Sequence, residues 1–350
     1  RNMLTMGNAA YPSRVKPPSE ELKALTATGS GTGDELVPTS MAAELWEDFF
    51  LESRIVSNIG MVPMPTDPFD MPLGLGDVTW YKGTQNTATT ASDPATAKST
   101  LTSTEQVCEV DWAYNLDEDA MIAVMPALRR RLQISGGLQM DKFVLNADST
   151  NAGSGNINSD DADPDDDNYY ISAGQDGIRH LWLVDNTSQA IDAGGDALAD
   201  ADILDALTAM GKYAVDPQRV AMFVDVDTYF KGLMNLDAVQ TMDKYGEKAV
   251  VMTGELAKYR GVSVIPTSAQ AKTEADGKVN DGGGGTFGQI NLANVDFWNV
   301  GFRRELLIEV DRDIQKRSLI MVVSFRIAAA AHGTRASATH TAGVYNILVS

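Results

Sequence analysis

The sequence predicts an α+β fold, with one long helix and long strands framing a smaller α/β region. Three stretches carry that expectation. Residues 115–147 read as a single helix: Asn115 stands at an N-cap position, Asp117, Glu118 and Asp119 fill the first turn, and Met121, Met125, Leu128 and Leu132 follow at helical spacing. Residues 318–331, SLIMVVSFRIAAAA, are an almost unbroken apolar run, the pattern of a strand buried on both faces. Between them, residues 196–267 alternate between the helical and the strand period.

Composition narrows the function classes. At 350 residues and 43% hydrophobic, the chain can bury a sizeable core, as one elaborated domain or a few subdomains. Lys and Arg number 28 against 48 Asp and Glu, a net charge of −20 that repels phosphate backbones and excludes a basic nucleic-acid surface. The single cysteine, Cys108, excludes an intrachain disulfide and a thiolate metal cluster; its alternating apolar surroundings predict a buried small side chain. No apolar run approaches the ~18–20 residues that cross a bilayer, and the opening RNMLTMGNAAYPSR lacks the apolar core of a signal peptide. A soluble chain with no membrane partner is expected. It opens at Arg1 rather than at Met, which fits removal of an N-terminal segment.

In chain order, residues 1–33 are rich in Pro, Ser, Thr and Gly and cannot order through a core of their own. They form either a disordered tail or a strap held by another subunit. Thr39 or Ser40 caps a short amphipathic helix with Leu45, Trp46, Phe49 and Phe50 on its apolar face, and SRIVSNIGMVPMP then reads as a strand ending at Pro63 and Pro65. Residues 83–105 hold almost no large apolar side chain, yet strand-like runs bracket them: VTWYK at 78–82, and Cys108, Val110 and Trp112 alternating with Val107, Glu109 and Asp111. A long two-stranded excursion resting on a neighbouring molecule accounts for this pattern; a flexible surface loop is the alternative.

Within the long helix, Pro126 predicts a kink or a restart. Past Gly136 and Gly137, Ile134, Leu138 and Leu145 lie on one side and Met140 and Phe143 on the other, so this half should be covered twice. Farther on, Ile203, Leu204, Leu207 and Met210 make a helical stripe, VAMFVD at 220–225 a short strand, 228–234 a second helix, and GVSVIP a strand ending at Pro266. ELLIEV at 305–310 opens the final long strands, the second of which should lie against the long helix.

The residues that could carry chemistry do not form a set. Asp161, Asp163 and Asp165 have the alternate spacing of calcium loops, but Pro164 interrupts them and Ser172 stands where a closing bidentate carboxylate belongs. They read as a solvated acidic loop. Asp216, Asp225 and Asp227 lie near a strand end without a His or Lys nearby in sequence, and read as caps and turn residues. The glycines at 282–285 lack the Lys-Ser/Thr of a phosphate loop and read as a flexible turn. His180, His332 and His340 have no catalytic spacing and read as partners for other polar groups. Arg129, Arg130 and Arg131 are turned by about 100° from one to the next, so they cannot share one helix face; inter-subunit ion pairs suit them better than phosphate binding. No catalytic set, metal site or cofactor site follows, and the chain is not expected to be an enzyme.

The order of these parts resembles the major capsid proteins of tailed bacteriophages, with their HK97-type fold. The resemblance runs through the Pro/Gly arm, DELVP before a short helix, the polar hairpin, a helix ending in LNADSTNAG, an α/β region closing with GVSVIPTSAQ, and EVDRDIQKRSLIMVVSFRIAAAAHG. It covers nearly the whole chain and is most specific over 105–151 and 307–332. It implies an N-terminal arm at 1–35, an extended E-loop at 65–103, a peripheral (P) domain from 36–64, 104–195 and 289–335 with the spine helix at 115–147, and an axial (A) domain from 196–288 and 336–350.

It further implies self-assembly as hexamers and pentamers into an icosahedral shell around double-stranded DNA. The shell would be formed in the host cytoplasm and carried in the virion, with portal, scaffold, maturation protease and decoration proteins as further partners. Lys82, Asp93 and Lys98 of the E-loop, and Arg129, Arg130 and Arg131, are the expected inter-subunit contacts. Some members crosslink an E-loop Lys to an Asn on a neighbour's P-domain strand; Lys82 and Lys98 are present, but Ser318 stands at the aligned Asn, which argues against that route. The family's N-terminal scaffolding extension is missing, which would suit either a chain already cleaved by a maturation protease or an incomplete chain. An encapsulin-like shell enclosing cargo enzymes is the alternative, against which the long arm and E-loop tell. A metal-dependent α/β hydrolase on the aspartate-rich loop is more remote, lacking a base and a ligand set.

Overall fold

The computed structural model describes residues 54–73, 76–94, 96–113, 124–149, 155–158, 175–240, 256–279, 285–333 and 337–349. The arm at 1–35, the amphipathic helix around Trp46, the capped helix start at 115–123, the aspartates Asp161, Asp163 and Asp165, and all but Gly285 of the glycine quartet lie outside the described residues.

Two long strands set the frame. β10 (Trp298–Asp313) and β11 (Ser318–Ala331) run antiparallel, joined by a turn in which Arg317 has a φ of 55°. β1 (Gly60–Pro63) pairs parallel with β10, and β4 (Thr104–Ala113) antiparallel with β11, giving the order β1–β10–β11–β4. Helix α1 (Val124–Asn146) lies on one face of this sheet, and its Leu128 and Leu132 pack with Trp112, Met321 and Val323. Farther along, Phe143, Val144 and Leu145 pack with Phe325 and Ile327. The other face of β11 is covered near its end, where Met64, Leu101, Phe69 and Met71 pack on Ala328 and Ala330. This double cover explains the apolar run at 318–331.

β2 (Phe69–Pro72) and β3 (Lys98–Leu101) form a separate two-stranded sheet, the root of the long excursion. The excursion is regular only there. VTWYK at 78–82 is not a strand: a strand needs a ladder partner, and among the described residues it has none, Thr79 N donating instead to Ser92 Oγ at 2.8 Å.

Six strands build the second sheet: β5 (Ala190–Asp192), β12 (Thr341–Leu348), β9 (Phe287–Asn294), β6 (Val220–Val224), β8 (Val262–Pro266) and β7 (Lys258–Tyr259), in that order. Along β6, Val220, Met222 and Val224 face a core shared with helix α2 (Asp200–Ala209), while Ala221 and Phe223 join the core that holds Phe143 and Leu145 of α1. This sheet is therefore buried on both faces, as the VAMFV run requires.

The remaining differences from the expected elements have local causes. SRIVSNIGMVPMP begins as a 3₁₀ turn, Val56–Asn58, rather than as a strand, because buried Asp141 of α1 accepts from the amides of Arg54 (2.7 Å), Ile55 (3.1 Å) and Val56 (3.0 Å) and holds that segment helical. Pro126 lies in the first described turn of α1, and the residues before Val124, where a kink or restart would show, lie outside the described residues. In α2 the buried face is Ile203, Ala206 and Met210, while Leu204 is exposed. The helix expected at 228–234 is a π-helical turn, Thr228–Gly232, followed by a 3₁₀ turn, Leu233–Asn235. Cys108 is exposed rather than buried: β4 is an edge strand, and the small or polar residues Ser135, Gly136 and Gln139 of α1 leave a groove beside it.

The polar residues behave largely as caps. Asp216 accepts from Gln218 N at 3.2 Å and Asp225 from Thr228 N at 3.0 Å, whereas Asp227 pairs with Lys272 at 2.6 Å. His340 contacts the His332 carbonyl oxygen at 3.1 Å through Nε2. Among the described residues no helix is long and apolar enough to cross a membrane.

Candidate assembly surface

The hairpin root is fastened to the large sheet by one carboxylate. Asp67 Oδ1 accepts from Ser103 N at 3.1 Å, Oδ2 accepts from Ser103 Oγ, and Arg326 of β11 donates to Oδ2 at 2.6 Å. Both ends of the excursion and the strand beneath it thus meet at Asp67, and Ser99 Oγ adds a bond to the Ala331 carbonyl at 3.1 Å. The hydrogen bonds from Ser103, helped by the Arg326 and Arg303 charges, outweigh desolvation and hold the Asp67 carboxyl below its ordinary range. A depressed folded-state pKa stabilises the root above the ordinary carboxylate value, and that contribution fades as pH falls through the folded value. Below about pH 4, protease cleavage around 66–72 and 98–104 should therefore rise in the parent. Asp67→Asn should cleave faster at neutral pH and lose this pH dependence.

Above the root, residues 76–91 are exposed throughout. Trp80 is 92% exposed, with Val78 and Tyr81 also open to solvent. The sequence marks 78–82 only as a strand-like run, and its composition does not show that these apolar side chains stand exposed. Lys98 pairs with Asp70 of its own hairpin at 2.6 Å, a solvent-exposed pair. Lys82 and Asp93 stand exposed in the loop, and Arg129, Arg130 and Arg131 are all exposed on α1. Ser318, at the start of β11, is buried.

A second feature lies between α1 and the sheet. Val107 and Cys108 of β4, Leu132 and Gly136 of α1, Leu306 and Val323 line a groove of about 350 Å³. Gly136 allows the close approach, since a Cβ there would sit 3.3 Å from Leu306 Cδ1. The chain thus carries an exposed apolar segment at 78–81 and an apolar hollow.

No family model and no curated protein matches the sequence. Solved structures do match. The chain is similar to a subunit from the capsid of a native GTA particle (TM-score 0.62, 13% identity, covering 92% of this chain and 99% of that one). It is similar to a chain of the mature capsid of bacteriophage PhiM1 (TM-score 0.60, 11% identity, 94% and 98% covered). A chain from Microbacterium phage Oxtober96 matches at TM-score 0.60 and 12% identity, with 91% and 97% covered.

The chain has the HK97-type capsid fold. In this capsid fold the likeness spans 99% and 98% of the GTA and PhiM1 chains.

Proposed function

We propose that the chain is a structural capsid subunit that assembles with copies of itself, as hexamers and pentamers, into an icosahedral shell enclosing phage double-stranded DNA. The observation that carries this reading is the loop above the hairpin root, which carries Trp80 at 92% exposure. Burying such a side chain is worth about 1.5–3 kcal/mol or more, and a neighbouring subunit is the cover available to it. The four-stranded sheet with α1 is assigned to the peripheral domain and the six-stranded sheet to the axial domain, with residues 65–103 as the E-loop. β5 and most of β9 lie in the peripheral ranges 104–195 and 289–335, but each pairs with β12 in the six-stranded sheet, which favours counting them with the axial domain.

Lys82, Asp93, Arg129, Arg130 and Arg131 are proposed as inter-subunit contacts. Each exposed ion pair contributes ~0–1 kcal/mol, so one charge reversal should slow assembly modestly and several together should block it. The net charge of −20 suits a container that holds its DNA loosely. The same reading places the protein in the virion after assembly in the host cytoplasm, alongside portal, scaffold, maturation protease and decoration proteins, and gives it no catalytic turnover. Electron microscopy with analysis of particle contents tests it. Large shells that package DNA support the reading, small shells filled with protein would make it an encapsulin-like container, and a monomer with metal-dependent turnover would overturn both.

A further inference from the structure

Just past the end of α1, Asp148 is fully buried, and the residues leading into the helical turn Ile178–His180 bring buried Asp176 and His180 beside it. Gly177 permits this approach: its amide donates to the Ala147 carbonyl at 2.7 Å, and a Cβ there would lie 2.6 Å from the Leu145 carbonyl oxygen. His180 Nε2 lies 3.7 Å from Asp148 Oδ1, 3.8 Å from Asp176 Oδ1 and 3.1 Å from the Gly155 carbonyl oxygen. One ligand atom from each of Asp148, Asp176 and His180 falls within 4.8 Å of the other two. Main-chain amides orient the carboxylates, Ile157 N donating to Asp148 Oδ2 and Ser149 N to Asp176 Oδ1, both at 2.6 Å.

The other ring nitrogen gives a second, independent sign. His180 Nδ1 is buried and makes no hydrogen bond among the described residues, yet it faces Asp185 Oδ2 at 3.4 Å. A histidine that ligates a metal through Nε2 carries its proton on Nδ1 and commonly directs it at a carboxylate.

We propose that Asp148, Asp176 and His180, with the Gly155 carbonyl oxygen, form a structural site for one divalent transition-metal ion of the Mn²⁺ or Zn²⁺ kind. One imidazole nitrogen with three oxygens suits these ions, whereas Ca²⁺ and Mg²⁺ prefer all-oxygen shells. Metal bonds of about 2.1 Å require the carboxylate oxygens, now 3.7 and 3.8 Å from His180 Nε2, to draw in toward a common centre. The ion would fasten the end of α1 to the segments at 155–158 and 176–180. It lies within one subunit and does not depend on the shell reading.

The test uses purified full-length protein, stripped with chelator and dialysed separately against Mn²⁺, Zn²⁺ and Ca²⁺ at pH 7.5, with bound metal counted by mass spectrometry and unfolding followed by heat. Mn²⁺ or Zn²⁺ should bind at one per chain and raise the melting temperature by several degrees at hundredfold saturation, and Ca²⁺ should not. Asp176→Asn and His180→Asn should each weaken binding at least tenfold, and a triple Asp161→Asn, Asp163→Asn, Asp165→Asn variant should bind as the parent does. Absence of a stoichiometric, stabilising ion in the parent overturns the site even if the variants fail to fold. Loss of binding in the triple variant, or its retention in both single variants, overturns it as well.

Discussion

Arg179→Met should lower the melting temperature by about 10 °C or more, or prevent folding. The guanidinium is fully buried where the end of α1 meets the six-stranded sheet, and it donates to Gln289 Oε1 (2.9 Å), Asn146 Oδ1 (2.8 Å) and the Gly277 carbonyl (2.9 Å). A methionine fills similar space but leaves those acceptors buried without their donor, and breaking a buried polar network in this way costs about 3–5 kcal/mol. At roughly 2–4 °C per kcal/mol for a chain of several hundred residues, that is a shift of about ten degrees. Arg179→Lys should recover little of it, because an ammonium cannot reproduce the planar fork that reaches β9, α1 and the 277 turn together. Thermal melts of the three proteins in one buffer decide it. A shift of about 2 °C or less would mean that the Arg179 bonds contribute little to joining the end of α1 to the six-stranded sheet.

Deleting residues 76–94 should leave a folded subunit and abolish closed shells. The described bonds from this loop to itself and to the rest of the subunit are few and exposed, chiefly Thr79 N to Ser92 Oγ and Lys212 Nζ to Asp77 at 3.5 Å, so circular dichroism and the melting temperature should scarcely change. Trp80→Ser should act in the same direction more weakly. Losing ~1.5–3 kcal/mol at each contact should raise the concentration needed for assembly by at least tenfold. Light scattering against protein concentration measures both. Normal shells from the deleted protein would show that the loop is not an assembly element.

Much of the frame could be read from patterns that the structure satisfies directly. The run at 318–331 is buried because α1 covers one face along its length and the hairpin root covers the other near its end, and the alternation of Cys108, Val110 and Trp112 places Trp112 and Val110 in the cluster beneath α1. What could not be read depends on partners distant in sequence. Asp141 shapes a turn 85 residues away by accepting from Val56 N, and Asp67 is bound by Arg326, 259 residues on. Neither leaves a local signal. Cys108 was misread because alternation reports which face a side chain takes, not whether the helix above that face carries side chains large enough to cover it. VTWYK has the composition of a strand, but composition cannot supply the ladder partner. On the candidate surface, the exposed positions of Lys82, Asp93 and the arginine run followed from polarity, whereas the pairing of Lys98 with Asp70 needed the register of β2 on β3.

A cryo-electron microscopy reconstruction of the assembled particle is the most direct test of the shell reading. Residues 73–97 should be ordered there and lie across the adjacent subunit, with Trp80 buried against that neighbour. Particles in which this loop folds back on its own subunit, or a protein that forms no closed particle under any assembly condition, would contradict it.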